Sequence, residues 1–301
     1  MKRCLFVDAK KPPELDFVLP GLLAGTAGML VGQGAIGKTM LALQIGMAFP
    51  LRRPIAEGQP GLAAGELWPA PSGGKVLVVM GEDPPPIIAA RQHALIAGMG
   101  LPDVELQALD RDLEIVSATD AEDDLRIVQR GQYGNLEQGP FADQLIQLCA
   151  GRRLVILDPL ALLVAGVEEN DNGHMTKFMR VLGGIASSTK AAILVLHHVG
   201  KSGNGGGEEW ERSRGASGLT TAVRLQINLT PPTKADCDEL GIAPDEAAYW
   251  VRVAQVKANY SAPRAAAWLH RGKGGILHHY PLQSVAKTQS GKKGGRNGSP
   301  F

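Results

Sequence analysis

The sequence predicts an α/β fold: a mainly parallel central sheet flanked by helices, with an antiparallel C-terminal extension. Three observations carry this. Apolar runs of strand length alternate with helix-length stretches over the first two thirds of the chain. Polar residues stand at the C-terminal ends of those runs, where open α/β sheets bind ligands. Beyond residue 223 the runs follow one another with no long helix between them, as antiparallel strands do.

The elements follow in order. Residues 1–20 form an irregular lead-in ending at Pro20. Residues 27–31 are a short buried strand, and 40–48 an apolar helix. Between them lies Gly32-Gln33-Gly34-Ala35-Ile36-Gly37-Lys38-Thr39. Residues 50–74, rich in Pro, Gly and Ala, read as a connection. Residues 75–81 are a continuous apolar strand suited to a sheet covered on both faces, with Glu82 and Asp83 at its end. Pro84-Pro85-Pro86 opens a helix carrying Ile87, Ile88, Leu95 and Ile96. A short strand at 113–117 and a polar stretch without defined elements at 119–138 precede a helix at 141–149. Residues 152–158 are a buried strand ending in Asp158, followed by a loop over 159–173. An amphipathic helix at 175–188 leads to a strand at 192–196 and then to His197-His198. Residues 199–213 are glycine-rich and polar, a flexible loop by composition. Strands at 223–229, 249–256, 265–270 and 275–279 make the extension. Residues 1–283 therefore read as one domain, and 284–301 as a basic, disordered tail.

Bulk composition sets limits. The 301 residues are 44% apolar, enough for a large core. With 31 basic and 30 acidic residues the net charge is +1, so nucleic-acid binding would need local clusters or several converging subunits. Cys4, Cys149 and Cys237 are isolated, which argues against a disulfide framework or a zinc knuckle. Neither a signal peptide nor a membrane span is expected, and the cytoplasm is the expected location.

The glycine-rich octet fills every fixed position of the phosphate-binding pattern Gly-x-x-x-x-Gly-Lys-[Ser/Thr], between a strand and a helix as the chemistry requires. Gly32, Gly34, Ala35, Ile36 and Gly37 would wrap phosphates with backbone N–H groups at a helix N-terminus, with Met40 following. Lys38 supplies a point charge for the β- and γ-phosphates, and Thr39 a hydroxyl for Mg²⁺. Asp158 is placed to hold Mg²⁺ or its water beside Thr39. Glu82 is the candidate base for an attacking water, and Asp83 is assigned to the helix N-cap. One of His197 and His198 could report the γ-phosphate. A shared metal is disfavoured because adjacent strand residues face opposite sides. Arg214 and Lys257 are both candidates to reach a neighbouring subunit's phosphates.

These segments together resemble the RecA-type hexameric replicative helicases, nearest to the plasmid-encoded RepA helicase family. Besides the phosphate loop, the carriers are Glu82-Asp83-Pro84-Pro85, Arg91-Gln92-His93-Ala94-Leu95, the run ending in Asp158, Leu196-His197-His198, Ser213-Arg214-Gly215 and Lys257-Ala258-Asn259-Tyr260. The resemblance implies a RecA-like core, ATP and Mg²⁺ as cofactors, a homohexameric ring with ATP sites between subunits, and 5′-to-3′ movement on single-stranded DNA. It makes residues 1–20 a subunit contact, and plasmid initiator and primase proteins candidate partners. It casts Glu82 as base, His198 as γ-phosphate sensor and Arg214 as the finger acting in trans. Related rings use Lys-x-Arg where this chain has Lys257-Ala258-Asn259, which leaves Lys257 as a helper at the nucleotide. The loop after Asp158 has no basic residue before Lys177, so DNA contact is expected from backbone N–H groups, from Lys201 and Arg212, or from six weak loops acting together. A recombination or remodelling ATPase that binds DNA without unwinding it is the alternative.

Overall fold

The main sheet draws its strands from between Ala27 and Tyr280, and its order explains where the site forms. The structure, a computed structural model, describes residues 13–58, 65–120, 122–199, 219 and 222–281. Strands β1 (Phe17–Leu19) and β2 (Leu22–Leu23) pair before β3 (Ala27–Gln33), which leads into helix α1 (Lys38–Leu51). The hairpin β4 (Ile55–Glu57) and β5 (Glu66–Trp68) precedes β6 (Val76–Met80). Helices α2 (Pro85–Met99) and α3 (Asp103–Asp112) lead to β7 (Leu113–Ser117). A third small pair, β8 (Val128–Arg130) and β9 (Leu136–Gln138), is followed by α4 (Phe141–Cys149), β10 (Leu154–Asp158), the single turn α5 (Leu160–Leu163), α6 (Asn172–Thr189) and β11 (Ala192–Val199). The chain closes with β12 (Leu225–Thr230), α7 (Lys234–Leu240), β13 (Trp250–Ala258), β14 (Ala267–Arg271) and β15 (Leu277–Tyr280).

Nine strands form one sheet in the order β15-β14-β13-β12-β3-β11-β10-β6-β7. All pairs from β12 to β7 are parallel, and those from β12 to β15 are antiparallel. The antiparallel extension thus begins one strand later than the sequence suggested: β12 lies parallel to β3, with Leu225 opposite Gly28 and Leu229 opposite Gly32. The lack of a long helix after β12, where only the short α7 intervenes, is a property of the β12–β13 connection, and says nothing of how β12 itself is reached.

Strand alternation splits the core in two. Leu30, Val78, Ile156 and Leu194 pack with α1 on one face, while Met29, Leu77, Val155 and Ile193 pack with α4 and α6 on the other. This is why the parallel strands read as unbroken apolar runs. Helix α1 is buried from Met40 to Phe49, so its sequence is apolar on nearly every side. None of the described helices is long and apolar enough to cross a membrane.

Several expectations are corrected. Helix α3 was not foreseen, because Asp103, Glu105, Asp110, Arg111 and Asp112 mask a stripe of which only Leu109 is buried. The small β4–β5 and β8–β9 pairs lie in stretches read as structureless, since three-residue strands carry too few alternations to register. The loop after Asp158 contains the turn α5. Asp83 is not the cap of α2: that position is Pro84, with Pro85 at the first helical residue. The Asp83 carboxylate instead accepts from Arg91 Nη2 at 3.0 Å, and its carbonyl accepts from Ser117 Oγ at 2.9 Å.

Candidate active site

The phosphate loop bridges the end of β3 and the start of α1. Gly37 takes φ 109°, a conformation that suits glycine, and from it the helix begins at Lys38. Lys38 is 2% exposed, and burial pulls its ammonium down to about 8, against the pull of Asp158 and Glu82. Its Nζ donates to the carbonyls of Gly32 at 2.8 Å and Gln33 at 2.7 Å, and lies 3.1 Å from His198 Nδ1.

Parallel register brings the remaining groups to the same sheet edge. Asp158 is opposite Met80 on β6, and His198 is opposite Gly32 on β3. Thr39 Oγ1 donates to Asp158 Oδ2 at 2.8 Å. Burial pushes the Asp158 carboxyl above its usual range, while the Thr39 hydroxyl and the His198 and Lys38 charges pull it back. Its buried Oδ1 accepts no hydrogen bond among the described residues. Gly81 lets α5 close on the end of β6: a Cβ there would collide with Leu162 and sit 3.1 Å from a Leu125 methyl. The Gly81 N–H donates to the Asp158 carbonyl at 2.7 Å, which turns Glu82 toward the site.

Glu82 Oε2 is 3.7 Å from His198 Nε2, and Asp158 Oδ1 is 4.0 Å from the same nitrogen. Because the Lys38 ammonium is a donor only, it faces an unprotonated Nδ1, and the His198 proton then sits on Nε2, toward both carboxylates. Lys38, Thr39, Glu82, Asp158 and His198 thus converge.

The two histidines separate as alternation requires. His197 faces the opposite side, 3% exposed, and burial pulls its imidazole down to about 4. The folded chain keeps it neutral, whereas the unfolded chain takes a proton near 6.5. Between these values the unfolded state holds more protons, so stability falls as pH drops from about 6.5 to 4, by up to about 3 kcal/mol. His197→Leu should flatten that part of a melting-temperature profile. Asp158 and Glu169 are common to both proteins, so they cancel in the difference. An unchanged slope would assign the titration to another group.

Lys257 does not come to this chain's own loop. It is opposite Gln226, which is opposite Met29, so it sits toward the far end of β3 from the phosphate loop. Burial and the Arg224 charge both depress its ammonium. Arg214, Lys201 and Arg212 lie outside the described residues, as do the 1–12 segment and the 284–301 tail.

Sequence reasoning missed Glu169, whose carboxyl burial raises and the His198 charge lowers, so it stands near the site from the segment before α6. It also missed Arg271, which reaches the loop's outer side from β14. Glu169 was visible only as part of an acidic pair, and Arg271 carried no local signal.

A model of the AAA domain family matches residues 4–204. The chain belongs to the AAA domain family. The matched span takes in the phosphate loop, Glu82, Asp158 and both histidines of this AAA domain. Among solved structures it is similar to an ATPase domain, with a TM-score of 0.54 and 13% identity over 86% of each chain. That likeness is one of fold: a RecA-like phosphate-loop core with its parallel sheet flanked by helices and antiparallel strands at the C-terminal side.

Proposed function

We propose that this AAA domain is the motor of an ATP-driven DNA helicase. In this reading six copies form a ring with nucleotide between neighbours, and the ring moves 5′-to-3′ on single-stranded DNA during replication of a plasmid or similar mobile element. The observation that supports the chemistry is the convergence of Lys38, Thr39, Glu82, Asp158 and His198 at the strand ends. The helicase reading rests on the resemblance of the motifs.

Each side chain has a part. The N–H groups of residues 34–39 cradle phosphate at the α1 N-terminus. Lys38 gives up one of its two carbonyl partners to meet the β- and γ-phosphates. The Thr39 hydroxyl and the orphaned Asp158 Oδ1 form an oxygen donor pair that suits Mg²⁺, which when bound neutralises charge developing on the phosphates. No cluster of three His, Cys, Asp or Glu side chains suited to a metal occurs among the described residues, so water and phosphate would complete its shell. Glu82 accepts the proton of the attacking water, and His198 relays the state of the γ-phosphate into the segment that follows β11.

Arg214, with Lys257 as helper, is assigned to the neighbour's nucleotide. The position of Lys257 away from its own loop is compatible with that assignment. Arg214→Ala subunits should bind nucleotide nearly as the parent does and hydrolyse it orders of magnitude more slowly. Mixed with Lys38→Ala subunits, they should regain some turnover, because some shared sites then hold both intact halves. No rescue in confirmed mixed assemblies would remove the trans assignment.

Forked duplexes with opposite single-stranded tails test the reading as a whole. Unwinding should need ATP and a 5′ tail, and should be absent in Lys38→Ala. ATP turnover stimulated by single-stranded DNA without strand separation would favour a remodelling ATPase.

A further inference from the structure

We propose that Arg271 is a positioning residue for the phosphate loop, holding its peptide planes from outside so that their N–H groups face the bound phosphates. The proposal rests on the reading of that loop as an ATP site. Arg271 Nη2 donates to the carbonyls of Ala35 at 3.2 Å and Ile36 at 3.0 Å. In a trans peptide the carbonyl and the next N–H point in opposite directions. Anchoring these two carbonyls on the outer side therefore turns the N–H groups of Ile36 and Gly37 toward the inside. The Ile36 N–H already points across the loop, 3.4 Å from the Gln33 carbonyl.

The loop needs such a hold. Ala35 sits at φ 61° and Gly37 at φ 109°, and left-handed backbone at a non-glycine residue is intrinsically disfavoured. Two carbonyls fixed by one guanidinium oppose relaxation of that turn. Arg271 makes no ion pair among the described residues, so its charge also adds to the positive field behind the phosphate seat.

The strand paired with the one that carries Arg271 is fixed to α1, with Leu277 of β15 opposite Arg271 of β14. The buried Gln44 amide donates to the Leu277 carbonyl at 2.9 Å and accepts from the Leu277 N–H at 2.9 Å. The turn Lys273–Gly275 between β14 and β15 approaches Met40 at Gly275 and Ala94 of α2 at Gly274. The C-terminal hairpin is thus a rigid bracket on the loop and its helix. Arg271 is the part of the bracket that touches loop backbone.

The test uses the full chain with Arg271→Ala, Arg271→Lys and Gln44→Leu, and a fluorescent ADP as probe. Arg271→Ala should raise the probe's Kd and the KM for ATP about tenfold, the effect of losing one charge-assisted anchor. Its kcat should stay within about twofold of the parent, since no group acting at the transition state is touched. The melting temperature without nucleotide should be unchanged, and Arg271→Lys should restore most of the affinity. Gln44→Leu should lower both the melting temperature and the affinity. If Arg271→Ala fails to fold, Arg271→Gln takes its place, because its amide can still donate to one carbonyl. Parental Kd in Arg271→Ala, or a loss of affinity that only follows a falling melting temperature, overturns the proposal. A parent that binds nucleotide but never hydrolyses it overturns the ATPase reading, and the Kd comparison still decides the role of Arg271. A parent that binds no nucleotide overturns both.

Discussion

Glu82→Gln should bind ATP as the parent does and lose about two to four orders of magnitude in turnover, the usual contribution of a positioned base. The amide keeps the side chain's shape and its place beside His198, 3.7 Å from Nε2, but cannot accept a proton from water. Glu82 is 59% exposed on its side chain, so the exchange leaves the core untouched and the melting temperature should not move. Single-turnover hydrolysis together with equilibrium binding separates the two effects. Parental turnover in Glu82→Gln would shift the role to another carboxylate. Asp83 is poorly placed to take it, since its carboxylate is paired with Arg91.

Lys38→Ala should cost at least about a thousandfold in turnover, because a charge in a site of low dielectric is removed where phosphate charge develops. The ammonium is almost wholly enclosed and already bonded to the Gly32 and Gln33 carbonyls. Its loss therefore also removes a donor from two loop carbonyls, and affinity for nucleotide should fall as well. His198 loses the donor at its Nδ1 in the same variant, so its ring is no longer held in one tautomer. ATPase assays beside nucleotide titrations read both consequences. Measurable parental turnover would mean that the loop does not seat the reacting phosphates.

Much of this site was legible because its signals are local. The loop octet is contiguous, and Glu82, Asp158 and the histidines each end an apolar run of strand length. Alternation said that His197 and His198 must part, but which one faces Lys38 depends on how β11 registers against β3, a long-range property. Asp83 looked like a cap from its place before a helix, but the proline after it fills that position, and Arg91, two turns on, claims the carboxylate. Helix α3 and the small hairpins were missed for different reasons: charged residues mask the apolar stripe of α3, and three-residue strands are too short to show a period. Arg271 and Gln44 gave no hint, because their partners are more than 200 residues away in the chain. Lys257 looked like an end-of-strand cation near nucleotide, and only its pairing with Gln226 shows which end of the sheet it occupies.

The position of β3 between β11 and β12 has a consequence for how the protein comes into being. The strand that feeds the phosphate loop is made before the other eight strands of its sheet, yet both of its hydrogen-bonded edges belong to strands that begin at residues 192 and 225. While the ribosome is still adding the intervening chain, β3 has no neighbour on either side. Such distant pairing requires large loops to close before it is rewarded, which slows folding and leaves an apolar strand uncovered in the meantime. The ATP site is therefore among the last parts of the molecule to be completed, and a nascent chain released before β12 would carry the whole glycine-rich motif without a sheet to hold it.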